Sequence, residues 1–109
     1  MEISFADAQL EKMCRESKAA TRLLGAISAK KLQLRLTELF AAENVAELVA
    51  GRPHPLTGKR SGQFALDLSG GDRLVFVPAT QPALVKPDQA IDWAKVTTIT
   101  IIELGDYHE

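Results

Sequence analysis

At 109 residues the chain is the length of one domain, enough to bury about two-thirds of its unfolded surface without disulfide staples. Its composition, 46% hydrophobic and 25% charged, is that of a soluble globular protein. The lone Cys14 excludes an intramolecular disulfide framework and fits a reducing compartment, while a net charge of −1 decides nothing about nucleic acid.

Glu2, Asp7 and Glu11 interrupt the start of the chain, which reads as no signal peptide. The longest uncharged run, Leu74 to Val85, is 12 residues with two prolines, too short to cross a bilayer. The expectation is a cytoplasmic protein with no membrane partner.

In chain order, Glu2 to Ala6 alternates apolar and polar residues and predicts a short strand. Asp7 is placed to cap a helix with Leu10, Met13, Cys14, Ala20, Leu23 and Leu24 at spacings of three and four, ended by Gly25. Cys14 lies on that apolar stripe and reads as a small core residue. Ser28 opens a second helix with Leu32, Leu36, Leu39 and Phe40 on one face. Asn44 and Glu47 suggest a capped further turn closed by Gly51.

His54 to Gly62 reads as a loop, and Gln63 to Leu68 as a strand. Ser69-Gly-Gly-Asp72 predicts a hairpin turn into a partner strand, Arg73 to Val77, stopped by Pro78. Thr80 to Lys95, with Pro82 and Pro87, is the least regular segment, tacked on by Ile91 and Trp93. Val96 to Leu104 is dense in β-branched residues and predicts a buried closing strand. Gly105 then turns the chain into Asp106, Tyr107 and His108. A strand, two helices and three strands predict an α+β domain over 1–109, with the helices on one face of a mainly antiparallel sheet.

The basic residues cluster. Glu11 to Arg35 holds Lys12, Arg15, Lys18, Arg22, Lys30, Lys31 and Arg35 against two glutamates, which reads most simply as solvated helix faces. Arg52 to Gly62 holds Arg52, Lys59 and Arg60 and no acid. His54, Lys59, Arg60, Arg73, Asp106, Tyr107 and His108 are the candidate site. Cationic groups that grip a phosphate, beside groups that move protons, suit phosphodiester cleavage with a ribose 2′-hydroxyl as nucleophile, and that chemistry requires no metal or cofactor. Arg73 is also placed to pair with Asp67 or Asp72 across the hairpin.

The Leu-Gly between helices, His54-Pro-Leu-Thr-Gly58, Lys59-Arg60-x-Gly62-x-Phe64, Arg73-Leu-Val-Phe76 and the terminal Asp106-Tyr-His108 resemble the HigB branch of the RelE/ParE toxin superfamily. They are most similar to sequences described as plasmid maintenance killer or killer suppression proteins. The resemblance implies a RelE-like microbial RNase fold and ribosome-dependent cleavage of messenger RNA. It also implies silencing by a cognate antitoxin, in this branch usually a helix-turn-helix protein, with operator DNA met only through the antitoxin complex. Carried onto this chain, Arg73 would hold the scissile phosphate with Lys59 or Arg60 assisting. His54, Tyr107 and His108 would be the acid/base and base-stacking groups, and Asp106 would orient a histidine. Two alternatives stay open: a ParE-like inhibitor of DNA gyrase that needs no acid/base set, and a catalytically degenerate antitoxin-binding member, which the pI near 6.1 favours.

Overall fold

The computed structural model describes residues 1–79 and 90–106. Strand β1 (Glu2–Phe5) leads into helices α1 (Ala8–Arg15), α2 (Ser17–Leu24) and α3 (Ala26–Ala41). Strands β2 (His54–Pro55), β3 (Phe64–Asp67), β4 (Asp72–Pro78) and β5 (Thr98–Asp106) follow. They form one sheet in the order β1-β5-β4-β3-β2. β1 lies parallel to β5 and the other pairs are antiparallel, so the sheet is mixed but mainly antiparallel, and the class is α+β as expected.

Asp7 caps α1: its Oδ1 accepts the Leu10 N–H at 2.9 Å. The single helix expected from Asp7 to Gly25 is two helices, because Glu16 between them adopts extended backbone, φ −121° and ψ 112°. The break redirects α2 so that its small-residue run closes on α3, with Ala20 fully buried there. Gly25, at φ +85°, makes the one-residue turn into α3, a conformation glycine adopts without a Cβ penalty. α3 begins at Ala26 and not at Ser28. Ser28 is instead buried in its first turn, where Oγ donates to Asp72 Oδ2 at 2.6 Å and accepts the Ser69 N–H at 3.3 Å. That pair of bonds ties the helical layer to the β3–β4 turn.

The hairpin forms as patterned, with Phe64 opposite Phe76 and Leu66 opposite Leu74. Leu32, Leu36 and Leu39 of α3 pack with these residues and with Ile99 and Ile101 into one core. The Phe64 and Phe76 rings stack at 5.3 Å, and Trp93 closes on Phe64 at 4.8 Å, so Trp93 and Ile91 anchor the chain ahead of β5. Cys14 is a core residue, and burial pushes its thiol from the ordinary 9.0 up to about 11 against a smaller opposite pull from Arg15.

Further boundaries differ from expectation. His54 and Pro55 are not loop but a short edge strand paired with Ala65 and Phe64. The capped turn after Asn44 is a single 3-10 turn, and Glu47 accepts the Glu43 N–H at 2.8 Å instead of serving Asn44. β5 does not stop at Leu104: Gly105 and Asp106 stay in the ladder because β4, starting at Asp72, supplies partners for both.

Candidate functional site on the open sheet face

Side chains alternate across a strand, so register alone divides this sheet into two faces. Leu66, Leu74 and Phe76 point to the helices. The opposite face carries cross-strand rows, two of which hold candidate residues. Asp67, Arg73 and Gly105 form one, and His54, Ala65, Val75 and Glu103 form the next. A bulge between Val75 and Phe76 takes up Ile102 and keeps Glu103 and Gly105 on this face while Ile101 stays in the core.

Asp67 is the hub. Its carboxylate forms an ion pair with Arg73, Nε to Oδ1 at 2.9 Å, and accepts Arg52 Nε at 2.9 Å. Arg73 also donates Nη1 to the Asp72 carbonyl at 3.2 Å, while its Nη2 makes no hydrogen bond among the described residues. Directly across the ladder stands Gly105, at φ +127°, and among the described residues no atom lies within 4 Å of the place a side chain would fill there. The guanidinium therefore borders an open hollow. The Arg73–Asp67 pair is 22% and 27% exposed, mostly covered with water still reaching it, so desolvation offsets much of the attraction between the two charges. It orients the guanidinium without committing it, so an incoming phosphate can share or displace the carboxylate.

Arg52 follows Gly51, and both take left-handed backbone at φ +47° and +82°. Arg52 is the one non-glycine residue so held among the described residues. Glycine is needed beside it, since a Cβ on Gly51 would meet Arg35 Nε at 2.7 Å. Strain of this kind is retained where surrounding contacts over-determine it; here the Asp67 pair does so.

His54 Nδ1 lies 2.7 Å from the Arg52 carbonyl. A carbonyl only accepts, so Nδ1 carries a proton, and Nε2, with no hydrogen bond among the described residues, is the ring nitrogen open to proton exchange. Arg60 Nη2 reaches Glu103 at 3.0 Å and Nη1 reaches Gln63 Oε1 at 2.9 Å. To join them the side chain crosses the sheet over the Ala65–Val75 row, and both of those residues are fully buried although they face away from the helices. Lys59 stands exposed in the 3-10 turn Gly58–Arg60 at the rim.

Of the predicted set, Arg73, His54 and Arg60 share this face, with Lys59 at its edge. Asp106 does not share it. It sits opposite Asp72, its carboxylate against Gly71, and opens on the helix side into a groove of about 480 Å³ lined by Leu10, Met13, Leu24 and Leu104. Tyr107 and His108 lie outside the described residues. Sequence reasoning did not assign Arg52 or Glu103 a place in the site; the signal available for Arg52 was its position after Gly51 in an acid-free run. Among the described residues no cluster of acidic, histidine or cysteine side chains is arranged to hold a metal ion, and no helix is long and apolar enough to cross a membrane.

No protein-family model matches the chain, and no curated protein sequence does. Solved structures do. A YoeB/ParE toxin from Agrobacterium tumefaciens superposes with a TM-score of 0.61 at 12% identity over 99% of this chain and 100% of that one. A YoeB–YefM complex from Staphylococcus aureus gives 0.57 at 16% identity over 100% of this chain and 98% of its own. At such identities the likeness is one of backbone: the chain has the fold of the YoeB/ParE toxins.

Proposed function

We propose that the chain is the toxin of a type II toxin–antitoxin pair, of the HigB branch of the RelE/ParE superfamily, and a metal-independent endoribonuclease that cuts messenger RNA on the ribosome in the cytoplasm. The observation that carries the reading is Arg73: an oriented guanidinium whose Nη2 is unengaged among the described residues, beside the side-chain-free Gly105, one row and two strands from His54 on the same face. In the proposed step His54 Nε2 takes the proton of a ribose 2′-hydroxyl, whose oxygen attacks the adjoining phosphorus. The bond to the 5′-oxygen breaks, and that oxygen takes a proton from His108 or Tyr107. The products are a 2′,3′-cyclic phosphate and a 5′-hydroxyl. Arg73 neutralises charge on the phosphoryl oxygens, and Lys59 and Arg60 hold flanking phosphates. Asp106, on the far face, orients a histidine only around the strand end. A neighbour solved as a YoeB–YefM complex supports a protein partner, here a helix-turn-helix antitoxin that carries the complex to operator DNA.

Internal pairing of the cations, Arg73 with Asp67 and Arg60 with Glu103, and the low pI favour a second reading, an antitoxin-binding member that cleaves nothing. Induced expression in a bacterium, with transcript ends mapped, separates the readings. The nuclease predicts growth arrest and cyclic-phosphate ends within translated codons. Arrest with intact messages and blocked supercoiling identifies a ParE-like gyrase inhibitor, and no arrest identifies the non-cleaving member.

A further inference from the structure

The α2–α3 surface is not used by the sheet-face site and is unlike the rest of the exterior. From Ser17 to Thr37 the chain carries Lys18, Arg22, Lys30, Lys31 and Arg35 and no acidic residue. Arg35 turns inward, 11% exposed, to Glu38 and the Asp67 carbonyl. The other four cations are exposed. Among them stand three large aliphatic side chains that are more than half exposed: Leu23 at 55%, Ile27 at 67% and Leu34 at 55%. On α3, Ile27, Lys30, Lys31 and Leu34 fall at i, i+3, i+4 and i+7, one stripe opposite the buried Ala29, Leu32, Leu36 and Leu39. Leu23 is the penultimate residue of α2, just before the one-residue turn at Gly25.

We infer that this face is a docking surface for an acidic amphipathic helix of a partner protein. Aliphatic anchors at helical spacing call for an apolar stripe on the partner, and four flanking cations with no anion among them call for carboxylates beside it. A second copy of this chain does not fit, because a two-fold contact would set Lys30 and Lys31 against the same lysines. Nucleic acid fits less well, because phosphates leave Leu23, Ile27 and Leu34 uncovered. The proposed function enters only in the partner's identity, which on that reading is the antitoxin; the surface lies on the helical layer, so an occupant there leaves the sheet face open unless another part of it crosses over.

The test titrates the isotope-labelled full chain with a synthetic helical peptide bearing leucines at i, i+3, i+4 and i+7 and glutamates alongside, then with single-stranded RNA. The expected result is peptide-induced resonance shifts confined to α2–α3. Binding weakens at least roughly tenfold in Ile27→Gln/Leu34→Gln and again in Lys30→Glu/Lys31→Glu, and is unchanged in His54→Ala. Shifts on the sheet face, affinity indifferent to both double variants, or displacement of the peptide by RNA would overturn the inference. Growth arrest on induction reads the toxin proposal separately: arrest by both double variants is expected, and absence of arrest by the wild type sinks that reading while the peptide result stands.

Discussion

Along β4, Arg73 and Val75 alternate with Leu74 and Phe76, and the two sets answer to different rules. The helix-facing set is apolar, and it meets Leu32, Leu36 and Leu39 in a packed core where volume and shape decide the energy. The opposite set is Arg73 and the fully buried Val75: Arg73 is ordered by its ion pair with Asp67, which also holds Arg52, and Val75 lies in the row that ends on Glu103, the partner of Arg60. One strand thus supplies rigidity on one side and exchangeable electrostatics on the other. A site built on the second face is held by the first without competing with it.

Substitutions on the two faces should therefore behave differently. Phe76→Ala removes a fully buried ring stacked on Phe64 and should lower unfolding free energy by about 3–5 kcal/mol in urea titration; a loss under about 1 kcal/mol would mean the face is not core. Ser28→Ala leaves the Asp72 carboxylate without its helix-side donor and should destabilise by about 1–3 kcal/mol by the same measurement. Asp67→Asn should cost about 1 kcal/mol or less, and by uncovering Arg52 and Arg73 it should steepen the salt dependence of RNA binding by up to about one unit of log–log slope. A slope that stays the same would show that the paired arginines do not meet phosphate.

The smallest effect concerns Cys14. Its thiol is raised in the folded state from 9.0 to about 11, so the unfolded chain ionises first. The contribution to stability is complete below pH 9.0 and is lost as pH rises toward about 11, which urea midpoints across that interval would read. Rapid thiol labelling of the native protein at neutral pH would contradict the assignment.

The helix-facing half of this design was legible from residue order because periodicity reports burial directly. The Phe64–Leu66 and Leu74–Phe76 alternation, the Ser69-Gly-Gly-Asp72 turn and the Asp7 cap all carry local signals. The break at Glu16 does not: Leu10 to Leu24 keeps one helical stripe, and only the closeness of α2 to α3 demands the bend. The open face depends on register. Whether Asp106 stands with Arg73 or behind it turns on one residue of strand pairing, and the bulge at Ile102 has no mark in the chain. Arg73 with Asp67 was anticipated because a hairpin places them opposite each other. Arg60 with Glu103 was not, since the two lie on segments 43 residues apart.

The central claim is that Arg73 works on phosphate and contributes little to folding. In a reconstituted translation reaction programmed with a defined message, Arg73→Ala should lose about 10²–10³-fold in cleavage rate, the loss expected for one transition-state donor, while its urea midpoint stays near that of the wild type. Unchanged cleavage in Arg73→Ala, or a loss matched by unfolding of the variant, would contradict it.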